Sequence, residues 1–493
     1  MCVKKNKTYQ YCLDILGLGT KRKKALANLV MALGSQKAES VTALSESPVF
    51  RYEYSSISRA VKAVSRGPAG LLSFERRVWG MLKGYLDVGQ VVCLATDKTV
   101  VAKPHSPTLP SRTFVALPNP VFGGAKSLSV GYEYSWVNVQ GEGSWSLPLS
   151  AHRIGADKTA AKVAGEQVLR LLSDGSLGFK EVELIINNLD SGYVGSGYLE
   201  EVKSVENLVS SLRLRHGTGI WCRAAPEEQK AGKVRKIFGQ HYYLTEKSGN
   251  KHYKKHPKTG RPHDKFQTSI LDKTPDEDFS WEDKLRSGQA VNVRVRSYRD
   301  MIFRAHNGVR MEDKPCKLVA VEVRDAQSGK LTYKKPLFLG FFGKKRDLCL
   351  AQHAPKTYAL RYNIEPFFRF SKRNMLMDKY QTPDARNLDN WMYVVVLASW
   401  LLYSARDDIF NRPKKWQGHG PQNKVPGRAV KSLSEAHKSI LPYLLTFDTA
   451  PFFPLKSKGG PGRQMGMCQP QRTKHPYVKK STAKAKKPPK PPT

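Results

Sequence analysis

The chain has 493 residues, and its 82 Lys and Arg outnumber its 42 Asp and Glu, so the formal net charge is +40. Such a protein repels itself unless a polyanion offsets the charge, which predicts a nucleic-acid partner. The longest apolar run, 391–403, is too short to cross a bilayer, so no membrane partner is expected. Scattered cysteines without a Cys-x-x-Cys pair, and no visible secretory signal, predict a cytoplasmic, nucleoid-associated protein with reduced thiols.

Residues 1–90 are basic and show helical periodicity, which predicts a helical N-terminal domain. Candidate helices span 21–33, 55–64 and 73–85. Thr20 is the expected N-cap of the first helix, and Gly34 is its expected stop. Such a bundle is typical of a DNA-binding head, and a plain helical cap is the alternative.

Residues 91–223 change to a mixed α/β pattern. An apolar run at 91–97 ends in Asp97, and a second run at 181–189 is followed by Asp190, so each acid is expected to close a buried strand. Further strands are predicted at 127–139 and 143–149, and helices at 156–172 and 198–212. This order predicts the first part of an α/β core, with a mixed sheet and flanking helices.

The remaining chain divides into three predicted segments. Residues 224–345 hold β-like runs at 291–298, 318–323 and 336–342 together with basic loops, which predicts a β-rich insertion. Residues 346–453 complete the core and include a long buried helix at 387–404. Residues 454–493 are rich in Lys and Pro and lack acids, which predicts a disordered basic tail that contacts phosphates or, alternatively, only solubilises the chain.

One window of the second core segment carries four side chains at fixed spacing, namely Tyr358, Arg361, Glu365 and Lys372. On an α-helix they fall within about 60° of arc, and Arg369 lies just beside that arc. A carboxylate would then lie among cationic and aromatic groups, as a metal-binding acid acting on a phosphate backbone requires. The commoner alternative is the charged outer face of an amphipathic helix. Pro366 directly follows Glu365 and predicts that the helix starts or kinks there, which splits the face.

Asp97, Asp190 and Glu365 are the candidate catalytic acids. Neighbouring strands of one sheet would bring the aspartates together, and a helix at the sheet edge would add the glutamate. Clustered carboxylates repel one another unless cations neutralise them. Mg²⁺ prefers oxygen ligands, and two such ions about 3.5–4 Å apart promote in-line displacement at a phosphate. The three acids therefore predict a site for two Mg²⁺ ions, with Mn²⁺ as a substitute.

Several segments together resemble the DDE transposases of bacterial insertion sequences, in the cut-and-paste group that carries a Tyr-Arg-Glu-Lys signature. Residues 94–97 resemble the first-acid strand, 189–193 the second-acid motif (the acid, a small residue, Gly and Tyr), and 363–370 the third-acid helix. Shorter likenesses lie at 54–57, 260–262 and 461–463. The likeness runs from about residue 40 to residue 470, and the signature window matches at every position.

The resemblance implies a ribonuclease-H-like core in which Asp97, Asp190 and Glu365 hold Mg²⁺. It also implies an enzyme that cleaves double-stranded DNA at terminal inverted repeats and joins the freed 3′ hydroxyl to target DNA. Because two element ends are cut in concert, the family implies a homodimer on DNA.

The same resemblance assigns DNA binding to the other residues of the window. Tyr358 would contact the backbone of the element end, while Arg361 and Lys372 would grip phosphates, and Arg369 beside them is also expected to bind DNA. Arg suits bidentate contact with a phosphate, and Lys supplies a point charge.

Three other hypotheses stay open at this stage. The chain could be a DNA-binding protein that retains the transposase fold but does not cut. It could be a nuclease or resolvase on the same core, which cuts without joining. A generic RNA-binding protein would explain the charge but not the three acids.

Overall fold

The computed structural model describes residues 7–18, 23–65, 70–86, 89–117, 127–141, 143–194, 196–224, 237–245, 250–251, 254–255, 262–263, 266–285, 287–306, 309–411, 428–446, 465–468 and 471–480. Within these residues, one 12-stranded mixed sheet is flanked by helices. This is the mixed α/β architecture that the sequence predicts.

The N-terminal region is helical, as predicted. Its helices are α1 (Lys7–Gly17), α2 (Lys23–Ser35), α3 (Ser55–Val64) and α4 (Gly70–Leu82). Helix α3 has the predicted bounds, because Ile57, Ala60, Val61 and Val64 recur at helical spacing and form its buried face. Helix α4 begins and ends earlier than the predicted 73–85.

Gly34 does not end the first predicted helix, because α2 continues through it to Ser35. A Cβ atom at Gly34 would lie 3.2 Å from the Leu401 side chain, on the long helix Ala385–Ser404. The glycine therefore allows two helices to approach closely. The predicted cap Thr20 lies outside the described residues.

The central part of the sheet consists of strands and connecting helices in this order: β1 (Val91–Ala102), β2 (Thr113–Ala116), β3 (Leu128–Gln140), β4 (Ser146–Ile154), α5 (Ala160–Ser173), β5 (Leu184–Leu189), α6 (Ser196–Val202) and β6 (Leu208–Leu214). The strand order is β2-β3-β1-β5-β6, with β4 beside β3. Strand β1 is antiparallel to β3 and parallel to β5, and β5 is parallel to β6. This mixed sheet is consistent with a ribonuclease-H-like core.

Two predictions for this region are wrong. Asp97 does not close its strand, because β1 keeps pairing with β3 up to Ala102 after its pairing with β5 stops at Thr96. The predicted helix at 198–212 is the short α6 followed by strand β6. A short apolar run that is buried on both faces has no periodicity that separates a strand from a helix.

The segment predicted as a β-rich insertion follows directly after β7 (Gly219–Arg223) and contains β8 (Phe238–Tyr243), β9 (Asn250–Lys251), β10 (Lys254–Lys255), β11 (Pro262–His263), β12 (Phe266–Gln267), β13 (Glu277–Lys284), β14 (Ala290–His306), β15 (Val309–Asp325) and β16 (Leu337–Phe342). The three predicted strands lie within β14 and β15, which are longer than predicted, and at β16. Strand β16 pairs antiparallel with β6, so β16, β15, β14, β13, β7 and β8 continue the core sheet, whereas β9 pairs with β12 and β10 pairs with β11 in two small separate sheets. The boundaries of the segment at 224 and 345 stay a prediction.

The C-terminal elements are α7 (Ala354–Ala359), α8 (Ile364–Asn374), α9 (Ala385–Ser404), β17 (Phe410–Asn411), β18 (Arg428–Ala429), α10 (Leu433–Ser439) and α11 (Leu441–Leu444). A 3₁₀ turn at Leu360–Asn363 joins α7 to α8. Helix α9 confirms the predicted buried helix at 387–404, and it packs against α2, α3 and β4. Among the described helices, none combines the length and the apolarity that crossing a bilayer requires.

Part of the C-terminal tail lies against the sheet. The backbone N–H of His475 donates to Pro107 O at 2.8 Å, and the N–H of Val478 donates to Arg112 O at 2.7 Å. The ring of Tyr477 packs on Phe114 at a centroid distance of 4.5 Å. The prediction of a disordered tail is therefore wrong for 471–480, because this segment pairs with the otherwise unpaired edge of β2.

Candidate active site

The two aspartates lie on neighbouring inner strands of the sheet, one within β1 and one directly after β5. Strands β1 and β5 are parallel neighbours, and Thr96 is the register partner of Leu189. Asp97 and Asp190 each follow directly after these partners, and adjacent strands are about 4.8 Å apart. The register alone therefore brings these two candidate acids together.

The Asp97 carboxylate has few partners for its degree of burial. Its side chain is only 22% exposed, and its Oδ1 accepts a hydrogen bond from the backbone N–H of Lys98 at 2.8 Å. Burial raises the pKa of Asp97 to about 6, and repulsion from Asp190 and Glu365 adds to the rise, while Lys98 N–H and Arg361 oppose it. A nearby cation would therefore stabilise the ionised form of Asp97.

Glu365 joins the aspartates through an arginine. The Arg361 guanidinium donates from Nη2 to Glu365 Oε1 at 3.3 Å, and its Nη1 lies 3.5 Å from Asp97 Oδ2. The Arg361 side chain is 5% exposed, whereas that of Glu365 is 51% exposed. Burial opposes the charge on Arg361, but Tyr358, Asp97 and Asp190 raise its pKa above its usual value.

The signature window is split, as Pro366 predicts. Tyr358 lies on α7, Arg361 lies in the 3₁₀ turn, and Glu365 lies in the first turn of α8. Pro366 fits there because backbone N–H groups in a first helical turn have no intrahelical acceptor. Tyr358 and Arg361 are buried, whereas Glu365 lies at the surface.

The predicted DNA-binding residues divide into two groups. Tyr358 is 1% exposed and its hydroxyl donates to Leu189 O at 3.5 Å, and Arg361 is held by the acids, so neither faces solvent in this conformation. Their expected direct contact with DNA does not fit this arrangement. Arg369 is exposed, and Lys372 is half-buried with its pKa lowered by burial.

Tyr193 is a site residue to which the sequence assigned no role. Its hydroxyl is buried and has no hydrogen-bond partner among the described residues. Burial raises the pKa of Tyr193 well above its usual value, and the charges of Asp97, Glu133 and Asp190 raise it further. The phenol is therefore a neutral donor close to the acids. The resemblance at 189–193 pointed to the segment that contains Tyr193, but only the three-dimensional structure shows that its hydroxyl is buried near the acids.

Glu133 on β3 is a fourth carboxylate near the site. It forms ion pairs with Lys98, at 2.7 Å, and with Lys480 of the C-terminal tail. Burial opposes its charge, but hydrogen bonds from Lys480 and Lys98 lower the pKa of Glu133. Glu133 is thus neutralised by lysines, and the tail reaches the neighbourhood of Asp97. No sequence signal separated this glutamate from other strand residues.

The donor set suits a divalent cation in its chemistry. Asp97, Asp190 and Glu365 offer only carboxylate oxygens, which Mg²⁺ and Mn²⁺ prefer, and they already surround one positive group, the guanidinium of Arg361. In the part of the chain that the structure describes, no three His, Cys, Asp or Glu side chains stand close enough to hold a metal ion. Arg361 lies between the acids instead.

The comparison with protein families identifies the chain. The family model described as DDE superfamily endonuclease matches residues 13–268, just over half of the chain. The protein belongs to the DDE superfamily endonuclease family. The match contains Asp97 and Asp190 and ends before the window around Glu365. No curated protein matches the chain.

Membership of the DDE superfamily endonuclease family gives the chain a general role as a nuclease or transposase that acts on DNA. DDE-type endonucleases generally use divalent metals. Asp97 in β1 and Asp190 directly after β5 lie within the matched region, so the family assignment and the geometry concern the same part of the molecule.

Proposed function

We propose that this DDE superfamily endonuclease is a transposase that cleaves double-stranded DNA at terminal inverted repeats and transfers the freed strand into target DNA. The observation that supports this most is the grouping of Asp97 and Asp190 by strand register, with Glu365 linked to them through Arg361. The three acids would hold two Mg²⁺ ions, or Mn²⁺ in their place. When bound, such ions activate the attacking oxygen and stabilise the leaving oxygen of an in-line displacement.

The exposure of the site residues supports a DNA substrate that approaches along α8. Asp97 lies at the base of the site, and the half-exposed carboxylate of Glu365 marks its open side. Arg369 follows Glu365 by four residues, which places it on the same face of the helix, and it is exposed. Lys372 extends this positive face by one further turn. A phosphodiester at Glu365 would thus meet cationic side chains along α8.

The assembly and the location of the protein are part of the same proposal. Two element ends must be cut in concert, so the active form would be a homodimer on DNA. The net charge of +40 supports tight association with the nucleoid.

The test is cleavage of a duplex that carries the DNA flanking the coding region, in the presence of Mg²⁺. Asp97→Asn, Asp190→Asn and Glu365→Gln should each abolish cleavage while the protein still folds and binds the duplex. Glu282→Gln and Asp283→Asn, at exposed positions of β13, are matched controls that should cut normally. Normal cleavage by all three site variants would refute the site.

The same experiment separates the alternatives. A DNA-binding protein that does not cut would bind the duplex without nicking it at any metal concentration. A nuclease would give cut ends and no joined products when target DNA is added. Inverted repeats in the DNA flanking the coding region would identify the substrate ends directly.

A further inference from the structure

Arg361 occupies an unusual position for a residue that is expected to grip DNA. Its guanidinium lies between Asp97 and Glu365, at 3.5 and 3.3 Å, and it is almost fully shielded from solvent. The charge of Asp190 acts on it as well. One positive group therefore lies against two acids of the proposed site and is attracted by the charge of the third.

Arg361 is held mainly by the opposite charges of the acids, because its hydrogen-bond donors are not all paired. A buried arginine with a purely structural role usually has its donors paired. Here the Nε–H is buried and has no acceptor among the described residues, and the contact with Asp97 is longer than a normal hydrogen bond. The guanidinium is thus attracted to the acids without being locked to either of them.

Aromatic rings complete the surroundings of the guanidinium. The ring centroid of Tyr362 lies 4.5 Å from Arg361 Cζ, and that of the buried Tyr358 lies 5.6 Å away. Tyr362 is 45% exposed, so one of the rings that cover Arg361 lies at the surface.

We propose that Arg361 is an internal counter-cation that keeps the acids together in the metal-free protein and must leave them before a divalent ion binds. This inference rests on the proposed function, because it concerns the same acids. The guanidinium and a divalent ion compete for the oxygens of Asp97 and Glu365, so Arg361 lowers the apparent affinity of the free protein for metal.

DNA supplies the arginine with an alternative partner. A phosphate at the site can accept two parallel N–H bonds from a guanidinium, which replaces the contacts that Arg361 loses. Metal and DNA then reinforce each other, because each is stabilised by the displacement of the same side chain, and the coupling is reciprocal. The protein would therefore load metal mainly when DNA is present.

The experiment measures Mn²⁺ binding to the full chain by the loss of the free-ion electron paramagnetic resonance signal, first without DNA. Arg361→Gln removes the competing charge and should bind Mn²⁺ about tenfold more tightly than the unmodified protein, which corresponds to about 1.4 kcal/mol. Arg373→Gln, at an exposed position of the same helix, is the matched control and should bind as the unmodified protein does. Equal or weaker binding by Arg361→Gln would overturn the inference.

The second measurement repeats the titration with a short duplex present. DNA contributes metal ligands of its own in every sample, so the difference between proteins isolates the side chain. The unmodified protein and Arg373→Gln should gain several-fold more affinity from DNA than Arg361→Gln does. This arm remains decisive if Arg361→Gln fails to fold, because a lack of any DNA-dependent gain in the unmodified protein, beyond that of free duplex, overturns the inference.

The outcomes distinguish this inference from the proposed function. If Mn²⁺ binds to the unmodified protein, depends on Asp97 and is unaffected by Arg361→Gln, the metal site stands and the counter-cation is refuted. If neither protein binds Mn²⁺ with or without DNA, both proposals fall.

Discussion

The candidate active site and the cluster around Glu75 both pair a carboxylate with an arginine, yet the pKa of the acid is shifted in opposite directions. Glu75, on α4, is fully buried, accepts hydrogen bonds from Ser150 and Tyr393, lies 3.0 Å from His152 Nε2 and forms an ion pair with Arg170 at 3.3 Å. Burial by itself raises the pKa of Glu75, but His152, Arg170 and Ser150 together lower it to about 2.

Asp97 shows what happens when a buried acid has too few partners. Its carboxylate accepts a hydrogen bond from the Lys98 N–H and lies 3.5 Å from the Arg361 guanidinium. Burial raises the pKa of Asp97 to about 6, and repulsion from Asp190 and Glu365 adds to the rise. The Glu75 cluster joins α4 to β4 and α9 and has a structural role. The Asp97 cluster stays under-neutralised, which suits a site that receives a cation from outside.

The largest expected effect is a loss of DNA cleavage without a loss of stability. Asp97→Asn should lower the DNA cleavage rate about a thousandfold or more, because an amide is a poor metal ligand. The folded pKa of Asp97 is raised, so its contribution to stability is present at pH below its unfolded pKa and is lost as the pH rises through about 6. Chemical unfolding at pH 8 should therefore find the variant as stable as the unmodified protein or more stable, and a large loss of stability would contradict the comparison.

The next effect is on stability. Glu75→Gln should lower the free energy of unfolding at pH 7 by about 3 kcal/mol, because it leaves Arg170 and His152 without their buried partner. The folded pKa of Glu75 is depressed, so its contribution is present above pH 4.5 and is lost as the pH falls towards about 2. Urea unfolding from pH 7 to pH 3 measures this. Glu166→Gln, which breaks the more exposed pair with Lys158, is the control and should cost about 1 kcal/mol or less.

A smaller effect concerns the positive face of α8. Arg369→Gln should weaken duplex binding about tenfold at low salt and reduce the slope of log affinity against log salt by about one, because one phosphate contact is lost. Fluorescence anisotropy over a salt series measures both. Arg294→Gln is the control, since its charge is already paired with Asp278 at 2.6 Å. An unchanged slope for Arg369→Gln would remove this residue from the DNA interface.

The smallest expected effect concerns the ion pairs of Glu133, a carboxylate that lies between Asp97 and Glu75 in how fully its charge is neutralised. Lys480→Gln removes one of the two lysines at Glu133 and should lower the free energy of unfolding by about 1 kcal/mol or less, because Lys98 remains. Lys479→Gln, at the adjacent exposed position, should have no measurable effect. A loss comparable to that of Glu75→Gln would show that the tail is essential for the fold.

Much of the fold was accessible from the sequence because local patterns specify it. The apolar spacing of 55–64 and the long apolar stretch of 387–404 are helical in any context that buries one face or the whole surface, and both helices are present. The run at 208–214 shows the limit of such patterns. It is short and largely apolar, and only its pairing with β5 on one side and β16 on the other makes it a strand.

The sequence could predict which residues belong to the candidate site, but it could not predict how their side chains are arranged. The spacing of Tyr358, Arg361 and Glu365 marked the window, and Pro366 marked its break. Whether each side chain faces DNA or the interior depends on the 3₁₀ turn between two helices and on what packs beneath it. The burial of Tyr358 against Leu189 therefore came only from the three-dimensional structure.

Composition and local pattern on their own determined that this is a basic α/β protein, predicted a polyanion partner and singled out three acids. Tertiary structure alone decided that Asp97 sits inside a continuing strand, that Arg361 lies among the acids, and that the tail pairs with β2. The physical reason is the distance along the sequence over which each property is determined. Charge and periodicity are properties of neighbouring residues, whereas strand register and the sharing of one cation by distant carboxylates arise only when remote segments meet.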